Sequence, residues 1–281
     1  MIDIEELIRQ SYELAPLPAS TVRLAQMVSS PNCQLEDVIE LIGFDQALTI
    51  RLLRAVNSTA EASAMTIVTA REAVLRLGTA RVLALAVAGN AKPLLQASIP
   101  AYGLDEGALW RHSVAAAVAA EIAPTFCQID IPSESFTAAL LHDVGKLIMG
   151  RFISPEILGY IKQAEEVEHI GRLEAESLLL NVHHAELGGL IAQHWNLPPR
   201  VVQAITHHHH PSLGNDVVCD VTYLSNQVAK SIEAGLLGEE LTLSVEPDVI
   251  GRLGLEEKSF GSFCRSAASR YQQVSLGYSA A

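Results

Sequence analysis

The chain has 281 residues, 49% of them hydrophobic, and a mean hydropathy of +0.25, enough to fill a sizeable core and too apolar for a disordered tail. Its 32 acidic residues against 19 basic ones leave a net charge of −13, which repels nucleic-acid phosphates and argues against direct DNA or RNA binding. No apolar run reaches the roughly 20 uncharged residues needed to span a bilayer, and the acidic start MIDIEELIRQ is not a secretory signal, so a cytoplasmic location and no membrane contact are expected.

In chain order, helical periodicity dominates. Leu24, Met27 and Val28 recur at three and four, as do Leu35, Val38, Ile39 and Ile42, then Leu48, Leu52, Leu53 and Val56, then Val74 and Leu77. Breakers separate these stripes: PLPAS at 16–20, SSPN at 29–32, Gly78, NAKP at 90–93, IPAYG at 99–103, DIPSES at 130–135, NLPP at 196–199 and HPSLGN at 210–215. Ser133 or Ser135 is placed to cap the helix that enters FTAALLHDVGKLIMG. The pattern predicts an all-α fold of roughly a dozen helices.

Residues 1–100 carry a net charge of −2 and the remainder −11, and all ten histidines lie from position 112 onward. Two helical subdomains are therefore expected, 1–100 and 104–281, joined by a linker between about 98 and 106. Cys33, Cys127, Cys219 and Cys264 are far apart with no CxxC pair, so they read as small apolar residues and not as a disulfide framework or zinc ribbon.

His142, Asp143 and Lys146 sit in an otherwise apolar run, AALLHDVGKLIMG, where ionisable groups need a compensating partner. His142 and Lys146 are spaced to share a helix face, with Asp143 pointing about 100° away. Together with His112, His184, His208 and His209, this imidazole and carboxylate set suits one transition metal: iron, manganese, zinc or nickel. His169 and His194 read as surface or satisfied polar groups, and His207 and His210 as residues of an exposed helix end before Pro211. Asn57 and Ser58 read as helix terminators bonded to local backbone, and Arg51, Arg54, Arg71 and Arg76 as a solvated basic face.

The order His112, His142-Asp143 in HDVGK, His184 in HAELG and His208-His209 resembles the HD superfamily of metal-dependent phosphohydrolases, its HD-GYP branch in particular. The segments LAPLPASTVRLAQMVSSPNCQLEDVIELIGFDQALTIRLLRAVNS, AREAVLRLGTARVLALAV, LWRHSVAAAVAAEIA and HHAELGGLIAQHWNLPPRVVQAITHHHHP are similar, more narrowly, to the HDOD domain of bacterial signalling proteins, over about residues 14 to 235. That resemblance implies an all-helical module acting in signal transduction through a partner protein, usually without demonstrated activity. It places His112, His142, Asp143, His184, His208 and His209 at metal-ligand positions, and Lys146 at the lysine that would serve catalysis in an active site. Two acids of the HD-GYP pattern are missing: the last carboxylate aligns with Asn226 and an extra one with Ala108, while Asp220 lies about a turn and a half too early to replace Asn226. No GYP follows the histidine pair. The expectation is a non-catalytic signalling adaptor with a degenerate pocket holding at most one metal. The alternatives are a phosphohydrolase of cyclic dinucleotides or other phosphodiesters, and a nucleotide sensor without turnover.

Overall fold

The computed structural model describes residues 4–58, 66–236 and 245–279. Its first helices are α1 (Ile4–Glu13), α2 (Ala19–Val28), α3 (Leu35–Gly43), α4 (Gln46–Ser58), α5 (Ala70–Leu77) and α6 (Thr79–Leu95). They are followed by α7 (Ala108–Ile122), α8 (Glu134–Leu141), α9 (Lys146–Phe152), α10 (Pro155–Glu166), α11 (Arg172–Leu180) and α12 (His184–His194). The chain ends with α13 (Pro199–Thr206), α14 (Pro211–Gly214), α15 (Val217–Leu236), α16 (Pro247–Leu253) and α17 (Glu257–Ser279). The fold is all-α: among the described residues, extended backbone pairs only at an isolated antiparallel bridge, Ile99 with Leu104. No described helix is long and apolar enough to cross a membrane.

The sequence periodicity appears as buried stripes. Val38 and Ile42 are the inner face of α3, Leu48, Leu52 and Val56 that of α4, and Val74 that of α5. Local chemistry sets the helix starts. Asp45 caps α4, its Oδ1 accepting from the Leu48 amide at 2.9 Å while Oδ2 accepts from Ser20 Oγ at 2.7 Å. Thr69 and Glu72 form a capping box on α5, and Gly78, at φ 77°, turns the chain directly into α6. Asn57 reaches back to Leu53 O and also brackets Ile67, bonding both its amide and its carbonyl. It therefore ties the end of α4 to the segment before α5. The Ser58 side chain and residues 59–65 lie outside the described residues.

Three expectations are corrected. NAKP does not end a helix: Pro93 lies inside α6, which runs on to Leu95, and its missing N–H removes one bond, that to the Gly89 carbonyl. Within HPSLGN, Pro211 instead opens the short helix α14, in the first-turn position where a missing N–H costs nothing. Neither Ser133 nor Ser135 caps α8: Ser133 Oγ donates to Glu134 Oε2 at 3.3 Å, and Ser135 Oγ is buried without a partner among the described residues. The four cysteines are free thiols, as expected; Cys219 is buried, whereas Cys33, Cys127 and Cys264, expected to be buried like it, are only half-buried.

Helix α7 is the axis of the C-terminal half. Its residues from His112 to Ala120 are all buried, and the alanines of VAAAVAA at 114–120 let α8, α15 and α17 approach closely. Helix α13 packs against α12, α8 and α15, and α1 lies across α9 and α12, where the Tyr12 ring stacks on His194 at 4.6 Å.

Two glycines decide how near α12 comes to its neighbours. A Cβ on Gly145 would lie 1.9 Å from the His184 carbonyl oxygen and 2.6 Å from the Gly188 nitrogen, so the turn before α9 rests on the backbone of α12. On Gly189 it would lie 2.0 Å from Thr206 Oγ1, at the end of α13. Gly145→Ala is therefore expected to cost at least the 1–3 kcal/mol, roughly, of an overpacked site. Gly159→Ala, on the open face of α10 where nothing lies within 4 Å, is expected to gain about 0.5–1 kcal/mol. Denaturant unfolding of the two variants checks this; equal midpoints would contradict the backbone contact.

Candidate metal centre

The site forms where four chain segments meet. His112 comes from the second turn of α7, His142 and Asp143 from the turn between α8 and α9, His184 from the start of α12, and His208 and His209 from just beyond α13. The helix through HDVGK is interrupted, contrary to the expectation that His142 and Lys146 share one helix face: α8 ends at Leu141 and α9 begins at Lys146. Lys146 reaches Asp143, its Nζ 2.6 Å from Oδ2. Gly145 lets this turn seat on α12.

Hydrogen bonds on the Nδ1 side orient several rings. His142 Nδ1 donates to the Ala139 carbonyl at 2.7 Å, and His208 Nδ1 to the Ile205 carbonyl at 2.7 Å. Both carbonyls belong to the last turn of a helix, where backbone acceptors lack intrahelical donors, so each histidine satisfies one while fixing its own tautomer. His184 Nδ1 donates to Glu176 Oε2 at 2.7 Å, and His112 Nδ1 lies 3.1 Å from Glu233 Oε1. With Nδ1 engaged, Nε2 carries the lone pair a metal requires.

Those Nε2 atoms converge on Asp143. His112 Nε2 lies 3.2 Å from His142 Nε2, and His184 Nε2 lies 3.0 Å from His209 Nε2. Oδ1 of Asp143 is 3.4 Å from His184 Nε2 and 3.7 Å from His208 Nε2, while Oδ2 is 3.3 Å from His142 Nε2 and 3.6 Å from His112 Nε2. The ligand atoms of His184, His208 and His209 lie within 4.8 Å of one another, as do those of His112, His142 and Asp143. These buried His/Asp groups can each hold a metal. The donor set passes a direct test of fit: Asp143 Oδ1 and His208 Nε2 are both buried with no hydrogen-bond partner among the described residues, a costly state for polar atoms that a cation would relieve.

Electrostatics favours neutral rings around a charged acid. Burial lowers His142, despite Asp143, and holds His208 well below its usual range, with His209 and His142 adding to the effect. His209 is pushed down to about 2 by burial, then by His184. For Asp143 burial works upward, but Lys146 beside it outweighs this and holds the carboxyl well below the usual carboxylate range.

Several members carry no sequence pattern that singles them out. Glu176 is buried on α11 and accepts from Tyr102 Oη at 2.7 Å as well as from the backbone and ring of His184; burial works upward on it, but the His184 bonds bring it down to about 2. Arg172 stands 4.6 Å over the Tyr102 ring and 3.4 Å from Glu176. Lys230, on α15, is lowered by burial and feels both Asp143 and Lys146. Asn226, one turn earlier, is buried with Oδ1 unpartnered among the described residues. Asp220 does not substitute for it, being bound to Arg252 at 2.6 Å.

The remaining histidines have other roles. His183 caps α12, its Nδ1 accepting from the Glu186 amide at 3.3 Å, and His194 stacks on Tyr12. His169 is exposed in the turn between α10 and α11, and His207 ends α13.

A pH dependence follows from the neutral rings. Unfolded imidazoles take up protons near pH 6.5, whereas His142, His208 and His209 resist protonation in the folded chain. The unfolded state then binds more protons below that pH, so stability falls as pH drops through about 6.5. Urea midpoints of chelator-treated protein at about pH 7.5 and pH 5.5 check it; a midpoint unchanged between them would contradict the neutral cluster.

Three solved structures resemble the fold, and at 21–22% identity they speak to fold alone. A protein from Marinobacter aquaeolei VT8, provisionally named a signal transduction protein, aligns with TM-score 0.73 and 21% identity over 97% of this chain and 63% of its own. One from Shewanella amazonensis SB2B, provisionally named a phosphohydrolase, aligns with TM-score 0.64 and 22% identity over 94% and 93%. An HDOD domain protein of unknown function from Geobacter sulfurreducens gives TM-score 0.64 and 22% identity over 99% and 95%. Among curated proteins, an uncharacterized protein of Treponema pallidum (strain Nichols) is 27% identical over 198 residues, 70% of this chain. The match spans only 38% of that relative's length. The family model for the HDOD domain matches residues 14–211, well over half of the chain, a stretch that takes in all six candidate ligands. The chain belongs to the HDOD domain family.

Proposed function

We propose that this chain is a signal-transduction module that acts by binding a partner protein, its buried pocket holding one transition metal for structure and not for turnover. The observation that carries this reading is the shortage of anionic oxygen. Among the described residues, Asp143 is the one acid ion-paired with the rings at Nε2, while Glu176 and Glu233 meet them at Nδ1. Its charge is already matched by Lys146 at 2.6 Å, and Asn226 supplies a neutral amide. A second divalent cation at the Nε2 side would find no further carboxylate there to ligate it, the other two acids being held at Nδ1.

His184, His208, His209 and Asp143 Oδ1 are the residues proposed to hold the metal, because Lys146 competes for Oδ2 and thereby disfavours the group containing His112 and His142. An imidazole-rich set suits zinc, iron or nickel. A bound ion there would offer Lewis acidity, and four protein donors would leave it little room for a reactive water. A second reading, phosphodiester hydrolysis, is favoured by one feature: each oxygen of Asp143 faces a different ligand group, the arrangement a two-metal centre needs.

Metal analysis of protein purified without an affinity tag, with assays of a generic phosphodiester and a cyclic dinucleotide, separates the readings. At most one equivalent of metal and no turnover are expected, with occupancy lost in His208→Ala and kept in His112→Ala. Glu176→Gln is expected to weaken metal affinity about 10–100-fold by loosening His184. Two or more equivalents together with measurable hydrolysis would overturn the adaptor reading in favour of the second.

A further inference from the structure

Helices α10 and α11 lie side by side and leave an open groove between them. Tyr160, Gln163 and Ala164 line it from α10, and Ala175, Leu178 and Leu179 from α11. Each trio has the i, i+3, i+4 spacing that puts side chains on one helix face. In most surface helices such a stripe faces the core, but here Tyr160 is 53% exposed, Leu178 64% and Leu179 40%. At about 200 Å³ the groove falls below the roughly 300–1,000 Å³ of small-molecule pockets. It has room for inserted side chains and not for a cofactor.

The rim is acidic. Glu156 precedes Tyr160 by one helical turn, Glu174 precedes Leu178 by one turn, and Glu168 lines one end of the groove. Glu166 is exposed nearby in sequence, and none of these four carboxylates is ion-paired among the described residues. Lys162 is the one cation on the exposed side of α10; Arg172 is drawn inward to Glu165, Glu176 and the Ala101 carbonyl. An apolar slot flanked by free carboxylates has its complement in a helix with one apolar face and a lysine- and arginine-rich border. A second copy of this chain, itself at −13, would bring like charge to the same rim.

We propose that the α10–α11 groove is a docking surface for a basic amphipathic helix of a partner protein. This deepens the adaptor reading by giving the partner a surface and a chemistry, and it is physically separate from the candidate ligands. Leu178 and Leu179 supply the anchoring contact and Glu156, Glu168 and Glu174 the charge selection.

The test titrates the full chain, by fluorescence anisotropy, with a labelled helical peptide carrying leucines at i, i+3, i+4 and i+7 and lysines and arginines elsewhere. A second peptide keeps the leucines and carries glutamates instead. Binding of the basic peptide that weakens with added salt, falls about tenfold or more in Leu178→Glu and falls again in Glu168→Lys/Glu174→Lys would support the proposal. Leu178 and the two glutamates are solvent-facing, so these variants are expected to fold, which circular dichroism verifies. Equal binding of the acidic peptide, binding unchanged in Leu178→Glu, or no binding would overturn it. Sedimentation showing self-association that Leu178→Glu abolishes would also overturn it, assigning the groove to a second copy. Phosphodiester turnover would sink the adaptor reading while leaving peptide binding to be judged on its own.

Discussion

One buried carboxylate organises the C-terminal half of this protein. Asp143 is withdrawn from water, and an isolated charge there would be too costly to keep. Lys146 at 2.6 Å makes the charge tolerable. The surrounding helices are accordingly arranged to bring nitrogen atoms from four chain segments to a single acid. Such an ion pair is weak evidence for stability by itself, since the cost of desolvation offsets much of the attraction. Its significance lies in what it specifies, namely a single acid with a different group of rings facing each of its oxygens.

The convergence depends on close backbone approach. Gly145 lets the turn carrying Asp143 rest on the carbonyl of His184, and Gly189 lets α12 press on the end of α13, which delivers His208 and His209. The histidines in turn finish the helices they follow, donating Nδ1–H to Ala139 and Ile205 carbonyls. Helix termination and ligand orientation are thus the same hydrogen bonds. The parts of the candidate site therefore also serve the fold.

Helix α11 connects the pocket to the surface. Its buried side presents Glu176 to His184 and Tyr102, while Leu178 and Leu179 emerge on its other side beside α10. A polar pocket and an apolar surface groove thus lie on opposite faces of one short helix. The acidic charge concentrated after residue 100 belongs in part to that groove's rim, which gives the charge asymmetry of the chain a physical place.

The amino-acid sequence by itself determined the helical class, most of the breaks and the six candidate ligands, because helix periodicity, capping residues and the His and His-Asp motifs are local patterns. Resemblance to the HDOD domain was legible for the same reason: its motifs recur in order along the chain. Tertiary structure alone decided that HDVGK is a turn and not one helix, that each oxygen of Asp143 faces a different group of rings, and that Glu176, Tyr102, Glu233 and Lys230 belong to the site. Glu176, Glu233 and Lys230 stand in ordinary helices and Tyr102 in the IPAYG break, none with a distinguishing spacing. They acquire their roles only when distant helices pack, and that packing is set by contacts such as Gly145 on His184, between residues far apart in the chain.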